Sequence, residues 1–146
     1  MKMKTIFFLA IVAVGFASCT QKESYKAVRQ EVLDEHDNIM MDTEMAFKNK
    51  MKLDTLALNL DSLKSIYTDI DTVNEKEQII QLRNKLIQAD DEMNTWMHQF
   101  DAELGEKSNE EALAYFEAEK KKVNSLDSLY KAVLKQSDDY LKKFKK

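Results

Sequence analysis

No proline interrupts this chain, and past residue 18 its sole glycine is Gly105. Proline breaks helices, and glycine lets a backbone enter left-handed space without steric cost. A chain of 146 residues without proline and nearly without glycine is left with helix as its regular structure, so the sequence predicts an all-α fold. The same scarcity excludes functions. Phosphate-cradling loops and dinucleotide turns need clustered glycines for close backbone approach, and no nucleophile elbow or zinc-protease helix motif is present. Two histidines and one cysteine are too few for a structural zinc site. No carboxylate pair is set apart by its neighbours for acid–base work, so the chain reads as a non-enzyme.

Apolar residues recur at three- and four-residue spacing, the period of an amphipathic helix. Tyr25, Val28, Val32, His36, Ile39, Met40 and Phe47 mark a first helix. Asp54 is placed to cap a shorter second helix with the stripe Leu56, Leu60, Leu63, Tyr67 and Ile70. Ile39, Ala46, Leu53, Leu60 and Tyr67 nevertheless lie seven apart, which fits one continuous helix equally well. Thr72 and Glu75 form a capping box for a helix carrying Ile79, Leu82, Leu86, Met93, Trp96, Met97, Phe100 and Leu104, stopped by Gly105. Ser108 and Glu111 form another, opening a last helix that runs to near Phe144 with Phe116, Val123, Leu126, Tyr130, Val133 and Tyr140 on its stripe. Residues 25–146 thus predict one elongated antiparallel bundle of three long helices, four in all if Asp54 opens its own. The near-heptad stripes are read as the bundle's own core. The charged stretch from Glu117 to Lys122 is read as solvated surface.

The chain opens Met1-Lys2-Met3-Lys4, runs apolar from Ile6 to Val14, and then reads Gly15-Phe16-Ala17-Ser18-Cys19. A basic start, a short apolar segment and small residues before a cysteine match a bacterial lipoprotein signal. The apolar segment is far short of the roughly 20 residues a membrane-spanning helix needs. Residues 1–18 are therefore expected to be a signal peptide, Cys19 the lipidated residue, and 19–24 the lipidated cysteine with its short tether. A plain secretory signal cut near Cys19 is the alternative. A lone cysteine allows no internal disulfide. Loss of Lys2 and Lys4 would take the net charge from −4 to −6, with acids and bases interspersed. Such a surface gains nothing from nucleic acid phosphates. The expected partners are the membrane, through the lipid, and an envelope protein.

Six methionines follow the signal: Met40, Met41, Met45, Met51, Met93 and Met97. His36 and Met40 stand four apart on one helix face, as do Met93 and Met97. A hairpin centred near residue 63 would set position 36 level with about position 90 and face the two pairs across the bundle. Thioethers with imidazole suit Cu(I), and a His/Met pair also ligates haem. Without a CxxCH motif, any haem would be non-covalent. The alternative is that the methionines fill core gaps, and this packing reading is the one adopted, with no cofactor. His98 faces away, toward Asn94 and Asp101.

The stretch from Glu31 to Met40 (EVLDEHDNIM), with Ala89 to Phe100 (ADDEMNTWMHQF) and Glu110 to Phe116 (EEALAYF), resembles small helical lipoproteins of Bacteroidota. Members of that family are often labelled "viral A-type inclusion protein". Residues 53–74 look like an insertion relative to it. The resemblance implies a Gram-negative envelope location, periplasmic or surface-exposed, and a helical fold. It implies no activity. The function expected is a lipid-anchored, non-catalytic interaction or structural module, with a Cu(I)- or haem-binding bundle built on His36, Met40, Met93 and Met97 as the alternative.

Overall fold

A computed structural model describes residues 24–144. The expected signal segment, Cys19, the expected tether up to residue 23, and the last two lysines lie outside the described residues. Ser24 caps the first helix, α1 (Tyr25–Leu58), its hydroxyl accepting the Lys26 N–H at 3.4 Å. Asp54 does not start a new helix. It sits inside α1 and pairs with Arg83 at 2.7 Å. The break falls instead at Asn59, whose side-chain amide turns back to donate to the Thr55 carbonyl at 2.7 Å. One further turn, α2 (Leu60–Leu63), keeps the phase of α1, so Val32, Ile39, Ala46, Leu53 and Leu60 are all buried.

The next helix, α3 (Thr72–Gln99), begins one residue earlier than the Thr72 capping box predicts. Asp71 is the cap, and its carboxylate accepts the N–H groups of Val73 at 3.1 Å and Asn74 at 3.2 Å. A carboxylate that serves two orphan amides also complements the positive helix N-terminus. Glu75 is engaged elsewhere, accepting the Tyr140 hydroxyl at 2.6 Å. At the other end α3 stops well short of Gly105, because Phe100 is already extended with φ −73° and ψ 125°. Two hydrogen bonds draw the chain off the helix there. The Asp101 N–H donates to the Tyr115 hydroxyl at 2.7 Å, and the Asp101 carboxylate accepts the Glu103 N–H at 2.9 Å. Gly105, with φ +62°, turns the loop rather than ending the helix. The last helix, α4 (Asn109–Lys142), opens with the predicted capping box. Ser108 Oγ accepts the Glu111 N–H at 3.3 Å, and the Glu111 carboxylate accepts the Ser108 N–H at 3.0 Å.

Among the described residues there is no strand, and the helices pack into one all-α bundle. Residues pair in rising order between α1 and α4, as Glu31 with Lys120 and Asn49 with Ser137 show. These two helices run parallel. Between α1 and α3 the order falls, with His36 against Trp96 and Asp54 against Arg83, so α3 runs antiparallel to α1 and packs against both α1 and α4. The core follows heptad positions on every helix: Ile39 and Leu53; Ile79, Leu86, Ala89 and Met93; Phe116, Val123, Tyr130 and Val133. The seam is narrow, as in a coiled coil, and a residue one place off it reaches the flank. That is why Phe47, beside buried Ala46, is 59% exposed, and Met40, beside buried Ile39, is 41% exposed. Both were expected on the buried stripe.

Candidate functional site

His36 meets α3 at Trp96, the ring centres 5.7 Å apart and tilted by 34°. That is six residues beyond the level predicted by a hairpin centred at 63, because α2 and the turn after it displace the midpoint. His36 Nδ1 lies 3.1 Å from an Asp37 carboxylate oxygen. The four candidate ligands occupy different surroundings. Met93 is sealed in the core with 1% of its surface exposed, whereas Met40 and Met97 reach solvent. His36 is between these extremes, its side chain 24% exposed. His98 points outward as expected, bonded through Nδ1 to the Asn94 carbonyl at 2.6 Å. Among the described residues no three His, Cys, Asp or Glu side chains gather to hold a metal ion.

Behind His36 the seam contains a polar chain absent from the sequence reading. The Trp96 Nε1–H donates to Glu119 at 2.9 Å, and the other Glu119 oxygen accepts Lys122 Nζ at 2.8 Å. Glu119 is buried, not on the solvated face expected for Glu117 to Lys122. The signal was available in the spacing, since Glu119 lies seven residues from both Ala112 and Leu126, which are core. The hydrogen bond from Lys122 to Glu119 raises the lysine's pKa, burial opposing it. Beneath this chain, stacked and edge-on rings close one end of the bundle. Trp96 stacks on Phe100 at 4.9 Å, Tyr115 meets Phe116 edge-on at 5.2 Å, and Phe116 stacks on Tyr25 at 6.0 Å. Burial pushes the Tyr115 hydroxyl's pKa up, against the opposing hydrogen bond from the Asp101 N–H.

Two more polar groups sit on core positions. Asn49 donates to Ser137 Oγ at 3.0 Å and to an Asp138 carboxylate oxygen at 2.8 Å. Tyr130 is fully buried and its hydroxyl has no hydrogen-bond partner. Burial raises its pKa, and the negative charges of Asp90 and Asp42 add to the effect. A groove of about 630 Å³ runs between α3 and α4, with Ile87, Trp96 and Leu126 among its lining and Asp91, Glu92 and Lys122 among its polar walls. Chemically, these features hold helices in register. No nucleophile is paired with a base among them.

Comparison with known proteins returned no matching family model, no matching curated protein and no matching solved structure.

Proposed function

We propose that the protein is a lipid-anchored envelope lipoprotein, attached through Cys19, that works as a non-catalytic helical interaction module. The observation that supports this is where the surplus apolar surface lies. On α1, Met41 is 71% exposed, Phe47 59%, Met51 50% and Leu58 87%, whereas no large apolar side chain described on α4 is exposed. On α3, Val73 and Ile80 are exposed as well, but α1 carries the largest share of exposed apolar side chains, and such surplus apolar surface marks a contact surface. The partner is an envelope protein that docks on α1. Photo-crosslinking groups placed at Phe47 and Met51 should capture one recurrent protein from intact envelopes, and groups at Lys131 and Lys135 on α4 should not. Recovery of the same mixture of abundant proteins from both helices would sink the proposal. In fractionation, Cys19→Ser should release the protein from the membrane.

A second reading, Cu(I) or non-covalent haem, is favoured by one observation: His36, Met40 and Met97 are all partly open to solvent, and His36 packs on Trp96, the neighbour of Met97. Met93, enclosed in the core, would not belong to that set. Anaerobic Cu(I) titration of the full chain, followed by haem, tests it. Met40→Leu with Met97→Leu should abolish binding, and Met93→Leu should leave it intact. Absence of binding to either ligand removes this reading.

A further inference from the structure

At the end of the bundle where α1 begins, a cavity of about 300 Å³ opens between the first two turns of α1 and the loop from α3 to α4. Tyr25 and Arg29, four apart on one face of α1, form one wall; Leu104, Gly105 and Lys107 of the loop form the opposite one. Arg29 Nε is buried and has no hydrogen-bond acceptor. Lys107 makes no ion pair among the described residues, although its charge acts on the nearby Glu111 carboxylate, and its ammonium stands over the Tyr115 ring at 5.6 Å from the centroid. Glu103 is the one acid on the wall, so against Arg29 and Lys107 the lining carries one net positive charge. The Nε–H itself is closed to solvent, so an anion in the cavity would meet Arg29 through its terminal guanidinium nitrogens, whose fork matches carboxylates and phosphates.

We infer that this cavity binds a phosphate group, with Arg29 and Lys107 as its two cationic contacts. A tetrahedral anion can accept from a guanidinium on one side and an ammonium on the other, which a planar carboxylate does less well. Tyr25, Ala102, Leu104 and Ala112 add apolar lining that suits the organic part of a phosphoester. Two sources share this chemistry: a free phosphate compound and a lipid headgroup. The headgroup source rests on the lipid-anchored reading above. Ser24 follows Cys19 by five residues, a reach of at most about 18 Å when extended, so an anchored protein would hold this cavity near the membrane surface. Phosphate binding itself does not depend on the anchor.

The test uses the full chain in detergent, with the Arg29 Nε–H resonance followed as inorganic phosphate is added. A saturable shift is expected, weakened about tenfold by Lys107→Gln, the loss of one charge-assisted hydrogen bond. Lys107→Arg should restore it, and Lys76→Gln on the exposed face of α3 should have no effect. Because Lys107 is exposed, its variants leave the fold intact even if Arg29→Gln does not. No saturable shift, or equal shifts in Lys107→Gln and the parent protein, overturns the inference. A second arm compares vesicles of zwitterionic lipid with vesicles containing phosphatidic acid, using Cys19→Ser protein so that anchoring plays no part. Binding only to phosphatidic acid vesicles, lost in Lys107→Gln, assigns the site to a headgroup. A phosphate response without a vesicle response assigns it to a free phosphate compound. Failure of anchoring in Cys19→Ser fractionation, by contrast, bears only on the envelope proposal.

Discussion

The indole N–H of Trp96 donates to the carboxylate of Glu119 across the α3–α4 seam, 2.9 Å apart and shielded from solvent. Trp96 is the chain's sole tryptophan, so its emission reports directly on this contact. Glu119→Ala leaves a buried N–H without an acceptor and should cost about 1–3 kcal/mol. Glu119→Gln keeps an acceptor and should cost less. Urea unfolding followed by Trp96 fluorescence separates the two; equal midpoints for both variants would show the bond to be idle.

Tyr130 makes the opposite prediction. Its hydroxyl is buried without a partner, so Tyr130→Phe removes a desolvated polar group and keeps the ring. The variant should match or exceed the parent, by up to about 1 kcal/mol. A loss of more than that in thermal unfolding would mean that the hydroxyl is satisfied in solution.

The start of α3 gives a prediction that separates neighbouring residues. Asp71→Ala removes the acceptor for two backbone amides and should cost about 1 kcal/mol. Thr72→Ala lies inside the helix and should have almost no effect. Ser108→Ala at the start of α4 should resemble Asp71→Ala. If instead Thr72→Ala were the costly variant, the cap would sit where the sequence alone put it.

Asp139 accepts hydrogen bonds from Lys135 and Lys142, which lower its pKa from 3.8 to about 2. A carboxyl with a lowered folded value stabilises the fold above its unfolded value. That contribution is lost as pH falls through about 2. The group is fully exposed, so the effect is small and salt should weaken it further. Carboxyl shifts in an NMR titration at low ionic strength should show Asp139 titrating near 2, and Lys135→Gln with Lys142→Gln should move it back toward the ordinary value.

The helical class, the Ser108–Glu111 box and most core positions were legible in the sequence, because a missing proline and a seven-residue apolar repeat leave few alternatives. What the repeat hid were polar residues on core positions. Glu119, Asn49 and Ser137 all fall in register with apolar neighbours, but residue type argues for surface when no partner is in view. Their partners, Trp96, Asp138 and one another, come from distant parts of the chain. Arg29 and Lys107 were illegible for the same reason: only folding brings the first turns of α1 against the loop at Gly105. Helix ends were misplaced wherever a long-range bond decided them, as at Phe100, where Tyr115 takes the next amide.

Because α1 and α4 run parallel, the chain enters the bundle at one end and α4 finishes at the other. A helix of 34 residues at about 1.5 Å per residue separates those ends by about 50 Å. Lys142 and Lys143, at the far end of α4, are therefore displayed roughly that distance from where α1 begins. Anything secured at the start of α1 would be measured off against whatever meets those lysines by a rod of fixed length. Deleting whole heptads in register from all three long helices would shorten that rod by about 10 Å per heptad without disturbing the seam.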